Sequence, residues 1–163
     1  MSGRGERRAT DAAGRFEITW NPRPIGSISL GSQYCLIARD WRRNLAVARE
    51  VDEADAEKSL DLQLQPAFTI VGQVKDESGN PISNAPITVG LRSRNTLSDL
   101  DHQRVLTNSQ GRYEIVPLPP GRAYSIVVAA KGYEWVSQMV EPDNAQPRRV
   151  ELPPFILKRR ARR

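Results

Sequence analysis

The chain has 163 residues, with one cysteine, Cys35, and one histidine, His102. A lone thiol rules out a disulfide within the chain. Zinc sites take three or four ligands rich in Cys and His, more than these two residues supply. His102 lies in the polar run 95–103 beside Asp99 and Asp101. That run lacks the alternating oxygen ligands and closing bidentate Glu of a calcium loop. It is expected to be a solvated loop. A cysteine nucleophile needs a neighbouring base, so Cys35 is expected to be a small, half-buried side chain.

Aromatic residues are also few: three Trp, four Tyr and three Phe. Any aromatic-lined binding platform must therefore be small. No apolar run approaches the roughly 18 residues of a membrane-spanning helix. Residues 1–30 lack the apolar core, about 7–15 residues long, of a secretory leader, so no export signal is read in this chain and the compartment stays open. The Gly-x-Ser-x-Gly nucleophile elbow and the phosphate-cradling glycine loop are missing as well. The expectation is a protein with no catalytic residue, no metal and no cofactor.

Charge is present but unevenly placed. The net charge is +5 and the pI about 9.8, with Arg4, Arg7 and Arg8 near one end and Lys158, Arg159, Arg160, Arg162 and Arg163 at the other. Blocks of like charge are ordinarily solvated. They could neutralise phosphates, but no aromatic alternates with them to stack bases, so nucleic acid is not the expected partner. A second basic cluster, Arg39-Asp40-Trp41-Arg42-Arg43, is expected to be a strand end and loop.

The most informative feature is an internal repeat. Residues 10–18 read TDAAGRFEI and residues 107–115 read TNSQGRYEI. So long a period marks a duplicated domain rather than a solenoid. Asp or Asn followed by Gly supplies a tight turn, and aromatic-Glu-Ile alternates as a half-buried strand does. Each copy therefore predicts a turn feeding a strand.

The second copy sits in a longer pattern. Ile70, Gly72 and Val74 alternate, then Ile87, Val89 and Leu91, with the turn formers Asp76-Glu77-Ser78-Gly79-Asn80-Pro81 between them. Pro119-Pro120-Gly121 is a further turn, after which Tyr124, Ile126 and Val128 alternate. Gly132-Tyr133 leads into a strand over roughly Trp135–Val140, and a last short strand covers Arg149–Leu152. Such spacing suggests a sandwich or barrel. Within 45–58, Ala, Glu and Lys favour helix, but Leu45, Val47, Arg49 and Val51 alternate. A strand over Leu45–Val51 and a charged loop over Asp52–Lys58 are expected.

The run Val74-x-Asp76-x-x-Gly79-x-Pro81-Ile82-x-x-Ala85-x-Ile87-x-Val89 resembles the opening of carboxypeptidase regulatory-like domains. So does Thr107-Asn108-x-x-Gly111-Arg112-Tyr113-x-Ile115-x-x-Leu118-x-Pro120-Gly121-x-x-Tyr124-x-Ile126-x-Val128, followed by Gly132-Tyr133. The resemblance implies an all-β, prealbumin-like, Greek-key β-sandwich of about seven strands. Its relatives include collagen-adhesin B-type repeats and starch-binding-like folds. It also implies a non-catalytic module of larger, often extracytoplasmic, bacterial proteins. Nothing here resembles the zinc-bearing domain of the carboxypeptidases.

By the same reading, residues 1–65 are the back half of a preceding repeat, 66–157 a complete unit and 158–163 a basic tail. Thr10–Ile18 matches the turn-strand motif, Tyr34–Asp40 matches the strand at Tyr124, and Leu60, Leu62 and Leu64 match the closing strand. Phe155–Lys158 is where a linker to a following repeat is expected. Unpaired strands in an incomplete repeat invite a partner. Residues 10–64 are expected to pack on the second unit, to stay partly ordered, or to recruit a second molecule across a face lined by Ile18, Leu36 and Leu62, with partial order and a tendency to self-associate favoured. The expected function is a structural or interaction module whose partners are other domains or repeats of a larger protein. The alternative is weak carbohydrate binding by stacking on Trp135 or Trp41. Gly79, Pro81, Gly111, Pro120, Gly121 and Gly132 are expected to be structural turn positions.

Overall fold

The computed structural model describes residues 8–19, 34–55, 58–93, 96–100, 105–142 and 148–160. These residues are all-β apart from a single 3-10 turn at Glu53–Asp55, and no helix among them is long and apolar enough to cross a membrane. The strands are β1 (Tyr34–Asp40), β2 (Leu45–Val51), β3 (Gln65–Pro66), β4 (Phe68–Asp76), β5 (Pro86–Ser93), β6 (Thr96–Asp99), β7 (Val105–Leu106), β8 (Arg112–Leu118), β9 (Ala123–Val128), β10 (Val136–Val140), β11 (Arg149–Glu151) and β12 (Phe155–Leu157).

From β4 onward the strands form a β-sandwich. One layer is built on β4, which pairs with β8 on one side and with β11 and β12 on the other. The facing layer has the order β10-β9-β5-β6, with β7 also pairing β5. Period-two alternation sends one set of side chains inward from each layer. Phe68, Ile70, Val74, Ile115, Leu118, Phe155 and Leu157 from the first meet Ile87, Val89, Leu91, Tyr124, Ile126 and Val128 from the second. All of them are almost wholly buried. At roughly 25 cal/mol per Å2 of apolar surface removed from water, this shared interior is the main favourable contribution to folding.

Two short strands replace the one expected near Arg149. β11 runs parallel to the start of β4 and β12 runs parallel to its end. Pro153 and Pro154 lie between them, and proline cannot donate to a ladder. The stretch expected to be a linker is therefore strand: Phe155 and Leu157 are buried on either side of exposed Ile156. The chain stays paired beyond it, because Glu134 N donates to Lys158 O at 2.8 Å and Arg160 N to Gly132 O at 2.9 Å. The basic tail thus begins tied to the Gly132-Tyr133 turn rather than free in solvent.

The first part of the chain forms a separate ladder, β1-β2-β3. The strand expected over Leu45–Val51 is present with those bounds. Residues 15–19 and 59–64 are not strand, although Phe16–Ile18 and Leu60–Leu64 carry the alternation. None of the described strands pairs with either stretch, and alternation without a ladder partner does not make a strand.

Candidate functional site: the hairpin junction and the exposed tryptophans

The turn residues fix where the strands begin and end. Asn108 Oδ1 accepts the N–H groups of Gln110 and Arg112, both at 2.9 Å, and Gly111 N donates to Asn108 O at 2.9 Å. Asp76 makes the same turn with Ser78, Gly79 and Asn80. Gly79, Gly111, Gly121 and Gly132 have φ of 83°, 70°, 70° and 85°. Gly111 is more constrained than Gly79 and Gly132, since a Cβ there would sit 2.5 Å from Val74 O while those two have open space. Pro81 bridges to Lys75, and Pro120 lies in the bend before Gly121. Thr107 is buried behind the turn. Its hydroxyl accepts from Ala85 N at 2.8 Å and donates to Ile82 O at 2.7 Å, which locks the 82–85 loop to the end of β7. Gly72 has a different role: the Tyr113 ring lies across it where a Cβ would stand, and the Tyr113 hydroxyl is buried without a partner.

The β1–β2 hairpin packs against the sandwich. Cys35, Ile37 and Ala48 lie against its core, and Ala46 is fully buried. Cys35 faces Glu50 across the ladder, Ile37 faces Ala48 and Arg39 faces Ala46, so these six share one face. The contact is also polar. Arg122, just after the Pro119-Pro120-Gly121 turn, reaches Glu50 Oε1 at 3.2 Å and donates to Ala48 O at 3.0 Å. Arg39 donates to Leu100 O at 3.4 Å, and Ala67 N donates to Asn44 O at 2.9 Å. Beneath this junction Tyr124 is fully buried and its hydroxyl donates to Pro119 O. Burial pushes the Tyr124 hydroxyl pKa well above its ordinary value, against the opposing pull of Arg122 and Arg39. Burial also pushes the Cys35 thiol up, partly offset by Arg122 and reinforced by Glu50.

The hairpin packs on the second unit, one of the three outcomes expected for residues 10–64. The face it buries carries Cys35 and Ile37, while Ile18, Leu36 and Leu62 are each half-buried. Sequence reasoning missed Arg122. Its only signal is a cation between a tight turn and a buried strand, and its partner lies 72 residues away.

The two tryptophans singled out for stacking differ. Trp41, 58% exposed, lies in the β1–β2 turn with the Arg39 guanidinium 4.5 Å from its ring centroid, so one face is already taken by a cation. Trp135, 63% exposed, stands just before β10, and Met139 is exposed on the same strand phase. Tyr133 is half-buried beneath Arg159, whose guanidinium lies 6.0 Å from its ring centroid. His102 lies outside the described residues. Among the described residues no three His, Cys, Asp or Glu side chains gather as a metal set.

No curated protein matches the chain. Among solved structures it is similar to the group B streptococcus pilus 2b backbone protein, at 18% identity and a TM-score of 0.45 over 80% of this chain and 55% of that one. Chlorocatechol 1,2-dioxygenase from Pseudomonas putida matches at 14% identity and 0.44, over 56% and 60%. The Bacillus anthracis TIE protein matches at 20% and 0.40, over 70% and 20%. The chain spans 60% or less of each of these proteins, and similarity this weak carries neither an activity nor a partner across. The sequence profile of the carboxypeptidase regulatory-like domain matches residues 69–153, more than half of the chain. With the β-sandwich those residues build, the chain belongs to the carboxypeptidase regulatory-like domain family.

Proposed function

We propose that this protein is a non-catalytic β-sandwich module that docks neighbouring β segments of a larger, tandem-repeat bacterial protein. In this reading residues 66–157 are the complete unit and 1–65 the back half of a like unit. The observation that carries it is the β1–β2 hairpin seated on the sandwich through Arg122, Glu50 and the Ala48 carbonyl. The buried hydroxyl of Thr107 serves the loop it closes.

One observation favours a second reading. Trp135 presents an open aromatic face, as a sugar-stacking site would. Tryptophan fluorescence titrated with soluble α-glucans separates the two. The structural reading expects no saturable change. A saturable change abolished by Trp135→Ala would replace it with carbohydrate binding.

A further inference from the structure

The β1–β2 hairpin has the register of a second hairpin in the same chain. In β1–β2, Tyr34 pairs with Val51, Ile37 with Ala48 and Ala38 with Val47. In β9–β10, Tyr124 pairs with Val140, Val127 with Ser137 and Val128 with Val136. Tyr34–Ala38 aligns with Tyr124–Val128, and each tyrosine faces a valine that is 7% exposed. Cys35, Ile37, Ala48 and Glu50 thus correspond to Ser125, Val127, Ser137 and Met139. The first set packs on the sandwich. In the second set, Ser137 and Met139 remain exposed beside Trp135.

We infer that the sandwich surface around Arg122 is a docking site for the β9–β10-type hairpin of the preceding unit, and that β1–β2 is that hairpin. The inference rests on the tandem-repeat reading and adds to it the partner segment and its recognition. An apolar patch of Cys35, Ile37 and Ala48 supplies area, and the Arg122–Glu50 pair supplies charge complementarity and register. Arg122 and Glu50 expose 23% and 19% of their side chains. The pair is partly withdrawn from water, where removing one partner costs more than at an open surface.

Cys35, the only thiol, reports on the junction. Its labelling by an aromatic disulfide reagent is compared in the full chain for wild type, Arg122→Glu, and Arg122→Glu combined with Glu50→Arg. Hydrogen exchange at Tyr113–Ile115 is followed in parallel. Arg122→Glu is expected to speed labelling about tenfold or more by local opening, with the sandwich amides still protected and the charge swap restoring slow labelling. Electrostatics alone act in the opposite direction, because losing the guanidinium disfavours the thiolate. Unchanged or slower labelling in Arg122→Glu overturns the inference. So does a swap that fails to restore protection, and so does joint loss of sandwich protection, which would make hairpin and sandwich one cooperative body with no separable joint. None of these outcomes bears on α-glucan binding, so failure here and failure of the structural reading are distinct.

Discussion

The nine-residue motif occurs twice, and its two copies fold alike for five residues and differently afterwards. In the first, Asp11 Oδ1 accepts the Ala13 and Arg15 N–H groups at 2.9 and 2.8 Å, Asp11 N donates to Arg15 O at 2.9 Å, and Gly14 has φ of 76°. In the second, Asn108, Gln110, Arg112 and Gly111 repeat those bonds, with φ of 70° at Gly111. After the turn, Tyr113 and Ile115 enter the core of β8 against β4. Phe16 and Ile18 stay half-buried outside any strand. The turn is a local object, written in an acceptor side chain and a glycine. The strand requires a ladder and an apolar layer to cover it.

Paired substitutions can break or sharpen this contrast. The largest difference is expected at the glycines. Gly111→Val meets both a positive φ and the Val74 carbonyl, and should lower the stability of the full chain by about 3 kcal/mol. Gly14 shares the positive φ and its strain but has open space around it, and its turn leads into no described ladder, so local yielding of the turn should keep the effect of Gly14→Val on the main unfolding transition below about 0.5 kcal/mol. Urea denaturation followed by tryptophan fluorescence measures both. Equal costs would mean that the first motif belongs to the same cooperative core.

The threonines should differ next. Thr107→Val leaves a buried N–H and carbonyl without their shared hydroxyl and should cost about 2 kcal/mol. Thr10 is exposed, and Thr10→Val should stay within about 0.5 kcal/mol. Thermal denaturation decides it. A neutral Thr107→Val would show that water or a shifted loop serves those groups equally well.

The smallest effect concerns the third instance of the turn, at Asp76. The Asn80 backbone N–H, then its side-chain amide, then the Ser78 N–H hold the Asp76 carboxyl below its ordinary 3.8. A carboxyl depressed in the folded state adds stability above its unfolded value, and that contribution is lost as pH falls through the folded value. Stability should therefore decline on acidification below about pH 3.8. Asp76→Asn should flatten the decline while keeping the turn, since Asn108 makes the same bonds. An unchanged acid profile in Asp76→Asn would remove Asp76 from the account.

Much of this fold was legible because it is local. The alternation at Ile70 and Val74, at Ile87–Leu91 and at Tyr124–Val128 marks strands that the structure contains, and the glycine turns sit between them. What was hidden is nonlocal. Phe155–Leu157 looked like a linker because three residues carry little periodicity, and only their parallel match to Val74–Asp76 makes them a strand. Residues 15–19 looked like a strand because periodicity reports amphipathicity and not the presence of a partner. Of the candidate site, Trp41 and Trp135 were visible as stacking candidates. The Arg122–Glu50 pair was not, since nothing in a single sequence matches one cation to one anion so many residues away.

The parallel pairing of β12 with β4 has a mechanical consequence. Phe155 lies beside Val74 and Leu157 beside Asp76, with the two strands running in one direction. Tension applied between residue 68 and residue 157 therefore slides one strand along the other instead of peeling it off. The ladder bonds share the stress together, and Phe155 and Leu157 must leave the interior in the same step. Resistance to pulling is set by an unfolding rate and not by an equilibrium stability. A unit closed in this way yields in shear, so its toughness along the chain can exceed what its melting temperature would suggest.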